Sequence, residues 1–207
     1  IMHEIKNPLS SINTIATVLA EELGPAHPNH QDVQIILAEI RRLTDSTRDI
    51  LHFARPSSSS STTSLRQVFP IVQRVLSHFA KERSVRIQAN DDGADSKLTL
   101  RDDQLQEILF NLIANAIRAA PPNTSVEVHS TSAGGTTTID IVDHGPGIEP
   151  AQVSQLFEPF VSFSDGGTGL GLYNVRRRTV EAGGTITYSR TPDGRTLFRL
   201  TLPEVSQ

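Results

Sequence analysis

The sequence of 207 residues lacks cysteine and tryptophan and contains a single methionine. Without cysteine, the chain can form neither a disulfide framework nor a thiolate metal site, and a cysteine nucleophile is excluded. No apolar run approaches the ~20 residues of a membrane helix, and no signal peptide begins the sequence. Basic residues number 19 against 23 acidic ones. This lack of a basic excess disfavours nucleic acid as the main partner.

The rest of the composition is typical of a soluble globular protein, with 37% apolar and 20% charged residues. The length predicts one or two domains with a sizeable core. The first residues already lie within a patterned segment, so we expect the chain to be part of a longer protein. We expect a cytoplasmic location, which is compatible with a tether to a membrane or sensor domain outside this chain.

Two segments near the start show the heptad spacing of a helix seam. The first has apolar residues at positions 2, 5, 9, 12, 16, 19 and 23. After helix breakers over 24–30, the second has its seam at 33, 36, 40, 43, 47, 50 and 54, with one polar member. Residues 1–54 are therefore predicted to form a helical hairpin. Because further apolar residues widen both stripes, we expect a homodimer in which two hairpins form a four-helix bundle.

A Ser- and Thr-rich segment over residues 55–64 predicts a flexible linker. Beyond it, residues 65–207 combine helical periods at 65–82, 102–120 and 170–182 with a short strand at 85–88. Alternating segments predict hairpins over 126–141 and 185–202, and residues 143–169 are expected to be irregular and glycine-rich. This pattern indicates an α+β domain, in which helices cover a largely antiparallel or mixed sheet.

His3, Glu4 and Asn7 form the first motif. His3 and Asn7 are four residues apart on one helix face and outside the seam, so we expect both to be solvent-accessible. An imidazole beside a carboxylate can act as a nucleophile, because Glu4 can take the proton of one ring nitrogen. Pro8 is expected to kink the helix beside His3. Taken alone, the motif is better interpreted as an ordinary surface histidine next to an acid.

Asn111 and Asn115 are also four residues apart, on the predicted helix 102–120, and Arg118 follows them. Their amide oxygens can ligate a hard cation such as Mg²⁺, which usually keeps water and phosphate ligands. Arg118, one turn further on, can contact a phosphate. Polar residues capped by neighbouring loops are an equally good interpretation of this motif alone.

Two glycine-rich segments complete the pattern. Asp143 ends a strand and can accept a hydrogen bond from an amino group, while Gly145 and Gly147 let the backbone approach a flat ring. A tight turn is the alternative. Residues 166–172 open a helix whose amide protons suit phosphates, although their spacing matches neither the Rossmann nor the Walker pattern. Between them, residues 156–160 predict a hydrophobic anchor for a mobile loop, or core packing alone.

In this order, the motifs resemble the transmitter region of sensor histidine kinases of two-component systems, over essentially the whole chain. Residues 3–9 match the phospho-acceptor box, and their amino-acid sequence is most similar to the nitrogen-sensor-like subgroup. Residues 106–116 match the asparagine box, 143–147 and 167–171 the two glycine boxes, and 156–160 the phenylalanine box. The resemblance implies a Bergerat-type α/β sandwich that binds ATP, over residues 65–207.

The resemblance also implies roles for individual residues. His3 would accept the γ-phosphoryl group, Glu4 would activate it, and Asn7 would position water or the acceptor. Asn115, with Asn111 nearby, would hold Mg²⁺. ATP would be bound by a larger set from the four later boxes: Asn111, Asn115, Arg118, Asp143, Gly145, Gly147, Phe157, Phe160, Gly167, Thr168, Gly169, Leu170 and Gly171.

The implied activity is autophosphorylation on His3 and transfer to an aspartate of a response-regulator receiver domain, which would dock near His3. A phosphatase activity involving Glu4 and Asn7 is also implied. In related ATPases a glutamate activates water at the position of Asn111, and an amide cannot act as that base. The resemblance places a lid over ATP at residues 158–166. Two departures, the lack of lysine in its stretch 161–165 and Ala119 in place of an aromatic residue, keep open a non-catalytic nucleotide-sensing scaffold. We interpret the arginines at 176–178 as a solvated helix face.

Overall fold

The computed structural model describes residues 2–24, 27–37, 40, 62–91, 95–162 and 169–205, and of residues 2–10 and 91 the backbone alone. The chain divides into two compact units, one from Ile1–Arg55 and the other from Pro56–Phe163 and Thr168–Gln207. Within the described ranges, no helix has the length and apolar character needed to cross a membrane.

The described part of the first unit contains the first predicted helix and the start of the second. Helix α1 spans Met2–Leu23 and continues through Pro8. Gly24 follows it with a φ of +64° and donates its N–H to the Ala20 carbonyl at 3.2 Å, a left-handed helix end that favours glycine. Helix α2 is described over residues 30–37 and at residue 40. The later members of its predicted seam lie outside the described residues.

The buried face of this hairpin differs from the predicted seam. The cluster between the helices consists of Ala16, Ala20, Val33, Leu37 and Ile40. By contrast, the predicted seam members Ile12, Leu19 and Ile36 are 47%, 42% and 48% exposed in the single chain, so they take no part in the packing within the hairpin. A straight helix of 3.6 residues per turn drifts against a seven-residue repeat, and alanine permits close approach of the backbones. The two helices therefore meet beside the predicted line, and much of the apolar stripe remains exposed.

The second unit has the predicted α+β character. Its elements are α3 (Leu65–Glu82), β1 (Arg86–Asp91), α4 (Asp102–Ala119), β2 (Ser125–Ala133), β3 (Thr136–Asp143), α5 (Pro150–Val153), α6 (Gly171–Glu181), β4 (Thr185–Arg190) and β5 (Thr196–Pro203). The three long helices and both hairpins confirm the sequence prediction. The first strand begins one residue later than predicted and runs three residues further, because it pairs with β2 along its whole length.

Two local features differ from the sequence prediction. The short helix α5 lies in a stretch that was expected to be irregular, and it begins with Pro150, which is tolerated where a helix starts. Thr63 and Ser64, at the end of the predicted linker, are buried. Thr63 exchanges two backbone hydrogen bonds with Leu98, at 2.8 and 3.2 Å. These last linker residues are therefore part of the folded unit.

The five strands form one mixed sheet in the order β1-β2-β3-β5-β4. β1 and β2 are parallel, and the other neighbours are antiparallel. Helix α4 lies at the centre of the helical layer, and its fully buried residues include Leu105, Ile108, Leu109, Leu112 and Ile113. Burial of each such side chain stabilises the fold by roughly 1.5–3 kcal/mol, so α4 holds its polar face in a fixed position.

The strand register brings three chain segments together at one end of the sheet. Asp143, the last residue of β3, lies opposite Thr196, the first residue of β5. Thr196 also lies opposite Arg190, the last residue of β4. The loop that leaves β3 after Asp143 therefore starts at the same end of the sheet as the end of β4, one strand away.

Candidate functional site

Asp143 is the deepest polar residue of the candidate site, with 1% of its surface exposed. Burial raises the pKa of its carboxyl group, and the hydrogen bond from the Gly145 amide acts in the opposite direction. The Gly145 N–H donates to Oδ1 at 2.6 Å. A Cβ at Gly145 would lie 2.6 Å from Oδ1 and 2.8 Å from the Ala119 side chain, so the position requires glycine. The loop thus presents a fixed, buried acceptor next to the end of α4.

The two asparagines of α4 lie on one half-buried face, as predicted. Asn111 donates from Nδ2 to the Glu107 carbonyl at 3.0 Å. A Cβ added at Gly171, the first residue of α6, would lie 2.9 Å from Asn111 Oδ1, so this amide oxygen faces the start of α6. Asn115 accepts a hydrogen bond at Oδ1 from the Arg118 guanidinium at 2.7 Å.

The ring of Phe79 on α3 forms a platform next to Arg118. The guanidinium of Arg118 lies 5.8 Å from the ring centroid of Phe79, and that of Arg83 lies 5.6 Å from the same centroid. Arg83 also donates to the Arg118 carbonyl at 3.1 Å. Cation–π attraction of this kind is worth about 0.5–1 kcal/mol at an exposed site. Phe79 was predicted only as part of the apolar period of α3, and no signal in the sequence linked it to Arg118.

Of the segment predicted as a lid, residues 158–162 are described, and residues 163–166 lie outside the described residues. Phe157 packs half-buried against the core, whereas Phe160 is 78% exposed with a φ of +64°. The Phe160 N–H donates to the Gly169 carbonyl at 3.1 Å, which joins the first part of the lid to the second glycine box. A Cβ at Gly169 would collide with the Phe160 backbone, and its φ is +69°. Gly167 and Thr168 lie outside the described residues.

The third arginine of the basic run is not part of a solvated face, so the prediction for 176–178 is wrong at this position. Arg178 Nε lies 3.1 Å from Glu107 Oε2, and the Glu107 side chain is 6% exposed. Burial acts against the charge of Arg178, but pairing with Glu107 raises the pKa of the guanidinium. The helical period turns this residue of α6 towards α4, while Arg177 stays 46% exposed. The pair ties the asparagine-bearing helix to the helix that follows the second glycine box.

The acceptor motif lies in the first two turns of α1, where residues 3 and 7 share a helix face. The side chains of His3, Glu4 and Asn7 lie outside the described residues, so their predicted accessibility stays a prediction. In the ranges the structure describes, no group of three His, Asp or Glu side chains could hold a metal ion. The amide oxygens of Asn111 and Asn115 are of a ligand type that a hard cation takes together with water and phosphate, and in this structure the Asn115 oxygen accepts from Arg118.

The structure therefore brings together much of the site predicted from sequence within the second unit. Gly145 meets α4 at Ala119, and Asn111 meets α6 at Gly171. Leu170 precedes α6 and is half-buried. Sequence reasoning missed four residues that hold these parts in position: Phe79, Glu107, Tyr188 and Arg190.

Comparison with known proteins gave two family matches. Residues 100–206 match the family described as histidine kinase-, DNA gyrase B- and HSP90-like ATPase. Residues 1–59 match the His Kinase A (phospho-acceptor) domain. The matches cover the two units separately and identify the second as an ATP-binding domain.

Similar curated proteins include the sensor histidine kinase ZraS of Salmonella typhimurium, 27% identical over 100% of this chain and 45% of the relative. The sensory histidine kinase/phosphatase NtrB of Rhodobacter capsulatus is 31% identical over 97% of this chain and 59% of the relative. The chain thus spans about half the length of the curated relatives it matches.

Solved structures share the fold. Full-length ShkA in complex with AMPPNP gives a TM-score of 0.67 at 24% identity, covering 100% of this chain and 45% of that one. The catalytic domain of histidine kinase ThkA gives 0.64 at 21% identity, covering 72% of this chain and 97% of that domain.

Proposed function

Because the chain belongs to the histidine kinase-, DNA gyrase B- and HSP90-like ATPase family and carries a histidine kinase phospho-acceptor domain before it, we propose that it is the kinase core of a two-component sensor. It would bind ATP in the second unit and transfer the γ-phosphoryl group to His3. The observation that carries this proposal is the presence, in one chain, of an acceptor histidine motif and an ATP-binding domain. Both would work in the cytoplasm, where ATP is available.

The described contacts support a definite arrangement of the nucleotide. The buried Asp143 carboxylate has one oxygen committed to Gly145, and we propose that it accepts a hydrogen bond from the adenine amino group. Gly145 and Gly147 would lie beneath the ring. Arg118 would contact phosphate, and the residues at 167–171 would line the phosphate chain. Asn115 and Asn111 would hold Mg²⁺, which neutralises phosphate charge during the transfer.

The transfer itself would be mostly positioning and electrostatics. One imidazole nitrogen of His3 forms a bond to the γ-phosphorus as the bond from that phosphorus to the β–γ bridging oxygen breaks, and ADP leaves. Glu4 takes the proton from the ring. Asn111 occupies the position where related ATPases have a glutamate, and its amide, which donates to the Glu107 carbonyl, cannot deprotonate water. This favours transfer to histidine over hydrolysis of ATP.

We further propose that two copies pair through the first unit. Ile12, Ile15, Val18, Leu19, Ile35 and Ile36 are all more than two-fifths exposed in the single chain. An apolar stripe of this kind indicates a partner surface. A second copy of the same hairpin would cover it and complete the four-helix bundle that the seams predict.

The phosphohistidine would then donate its phosphoryl group to an aspartate of a response-regulator receiver domain that docks near His3. The printed name of the NtrB relative joins kinase and phosphatase. This supports the further proposal that Glu4 and Asn7 assist removal of the phosphoryl group from the regulator. The phosphatase step would be tested with Asn7→Ala, which should keep autophosphorylation and slow dephosphorylation of the receiver.

The kinase proposal is tested by incubating the chain with γ-labelled ATP and Mg²⁺. The native chain should acquire a label that is stable in base and labile in acid, as expected for phosphohistidine. His3→Gln should bind ATP without acquiring label, and Asn115→Ala should lose both tight binding and label. If the native chain binds ATP and releases phosphate without any labelled protein, the ATPase alternative is correct. Binding without transfer or hydrolysis would instead indicate the nucleotide-sensing scaffold.

A further inference from the structure

We propose that Tyr188 and Arg190, at the end of β4, are positioning residues that hold the adenine-binding loop of residues 144–149 in place. This inference rests on the proposed function, because it assigns the loop to the nucleotide base. Neither residue belongs to a motif identified in the sequence. Both lie on the edge strand of the sheet, two positions apart and therefore on one face.

The sheet topology explains how β4 reaches a loop that leaves β3. β5 lies between the two strands and is antiparallel to both, so the ends of β3 and β4 are at the same end of the sheet. The loop crosses this end after Asp143. No helix or strand occurs between Asp143 and Pro150, so the loop depends on contacts with its neighbours.

The Tyr188 hydroxyl holds the far side of the loop. It accepts a hydrogen bond from the Ile148 N–H at 2.9 Å. The Tyr188 ring packs against Phe198 with 5.5 Å between centroids, which fixes the direction in which the hydroxyl points. Ile148 is half-buried and packs against the core, so its amide has limited access to water if the hydroxyl is removed.

Arg190 holds the middle of the loop. Its guanidinium donates to the Pro146 carbonyl and, from its other terminal nitrogen, to the Gly194 carbonyl in the β4–β5 turn. The guanidinium also fills the space where a side chain at position 147 would lie, and Gly147 has a φ of +80°. A Cβ there would in addition be 3.1 Å from the Tyr188 hydroxyl. A side chain at position 147 would therefore displace the Arg190 guanidinium from this place, and the backbone conformation itself favours glycine.

Tyr188 and Arg190 together form a clamp on the loop. They bind the carbonyl of residue 146 and the amide of residue 148, on either side of Gly147. The preceding part of the loop is fixed by the Gly145 amide on Asp143. A base that contacts both Asp143 and Gly147 would need these two segments in a constant relation. Loss of the clamp should therefore weaken recognition of the base and leave the chemistry at the phosphates unchanged.

The test uses the full chain with Tyr188→Phe and Arg190→Gln. Tyr188→Phe keeps the ring contact with Phe198 and removes only the hydroxyl. Arg199→Gln is the matched control, since Arg199 is on the next strand and pairs with Asp140 at 2.7 and 2.8 Å, away from the loop. Dissociation constants for ADP and GDP are measured by calorimetry, and KM for ATP and kcat are measured by autophosphorylation.

For both clamp variants we expect Kd for ADP and KM for ATP to rise about five- to tenfold, with kcat within about twofold of the native value. The preference for ADP over GDP should shrink, which a merely structural defect would not cause. Arg199→Gln should resemble the native chain. Clamp variants with an unchanged ADP affinity and an unchanged preference would overturn the proposal.

The outcomes separate this inference from the proposed function. A native chain that binds no ADP would refute the nucleotide site itself. A native chain that binds ADP with the same affinity as both clamp variants would refute the positioning role alone. Arg190→Lys provides a further check, since one ammonium can reach one of the two carbonyls and should restore part of the affinity.

Discussion

The ion pair between Glu107 and Arg178 should be a major stabilising contact of the ATP-binding domain. Arg178→Met keeps the length and apolar packing of the side chain but leaves the Glu107 carboxylate, whose side chain is 6% exposed, without its cation. Removing one partner of a fully buried pair costs about 3–5 kcal/mol, and an exposed pair contributes about 0–1 kcal/mol.

The magnitude follows from the exposure of the two groups. Arg178 keeps 27% of its side chain in contact with solvent, so water can partly replace the guanidinium. We therefore expect the loss to lie below the fully buried range, at about 2–3 kcal/mol. For a unit of this size that corresponds to a fall of roughly 6–10 °C in Tm.

Tyrosine fluorescence is the suitable assay, since the chain has no tryptophan and both tyrosines lie in the second unit, at positions 173 and 188. Unfolding of that unit can therefore be followed in the full chain as urea is added. Arg177→Met is the matched control, because Arg177 is 46% exposed and 3.7 Å from Glu181, and its loss should be below about 0.5 kcal/mol.

A double-mutant cycle with Glu107→Gln tests the pairing directly. In the Glu107→Gln background, Arg178→Met should cost much less than in the native chain, because no buried charge is left behind. The reasoning is refuted if Arg178→Met is no more destabilising than Arg177→Met, or if its cost is the same in both backgrounds.

Three further predictions concern the nucleotide site and the bundle. Burial raises the pKa of Asp143 above its unfolded value of about 3.9, so its contribution to stability is present below that pH and is lost as pH rises through the folded pKa. At pH 7 the Asp143→Asn variant should therefore unfold at a higher urea concentration than the native chain, and this difference in stability should narrow towards pH 4. The affinity of the variant for ADP should fall. An Asp143→Asn variant that is less stable than the native chain at pH 7 would contradict this prediction. Phe79→Leu removes the ring beneath Arg118 and should raise KM for ATP about two- to threefold with little change in Tm, and an unchanged KM would show that the platform does not position Arg118. Ile15, which is 67% exposed, should lie in the dimer interface, so Ile15→Glu should halve the mass measured by light scattering at micromolar concentration, whereas a native chain that is itself monomeric would refute the pairing.

The helices and strands of the second unit could be predicted from sequence because the spacing of their apolar residues corresponds to the faces that are buried in the core. In α4, the residues of the predicted apolar face are all buried, so the helical period and the environment agree: Leu105, Ile108, Leu109, Leu112, Ile113, Ala116 and Ile117. In the first unit, the predicted seam and the face buried within the single chain coincide only in part. There, Ala20 and Leu37 are buried while Leu19 and Ile36 are exposed. A wide apolar stripe does not itself determine which part of it faces the helix of the same chain.

The parts of the candidate site were predicted from local motifs, but the contacts that hold them were not. Tyr188 contacts a residue 40 positions away, and Arg178 contacts one 71 positions away. The Tyr188 contact depends on the insertion of β5 between β3 and β4, and the Arg178 contact depends on the side of α6 that faces α4. The local spacing of apolar residues determines neither the strand order nor the orientation of α6. An exposed arginine and an arginine paired with a buried acid look alike in the sequence.

The central claim is that ATP bound by this chain phosphorylates His3 and no other residue. Trypsin cuts after Lys6, so His3 is the single histidine of the fragment that ends there, and the other six lie in later fragments. After reaction with ATP and Mg²⁺, mass spectrometry at neutral to basic pH should find one phosphoryl group on that fragment and none on the others. A phosphoryl group on a fragment with a different histidine, or an unmodified chain that nevertheless binds ATP, would contradict the account.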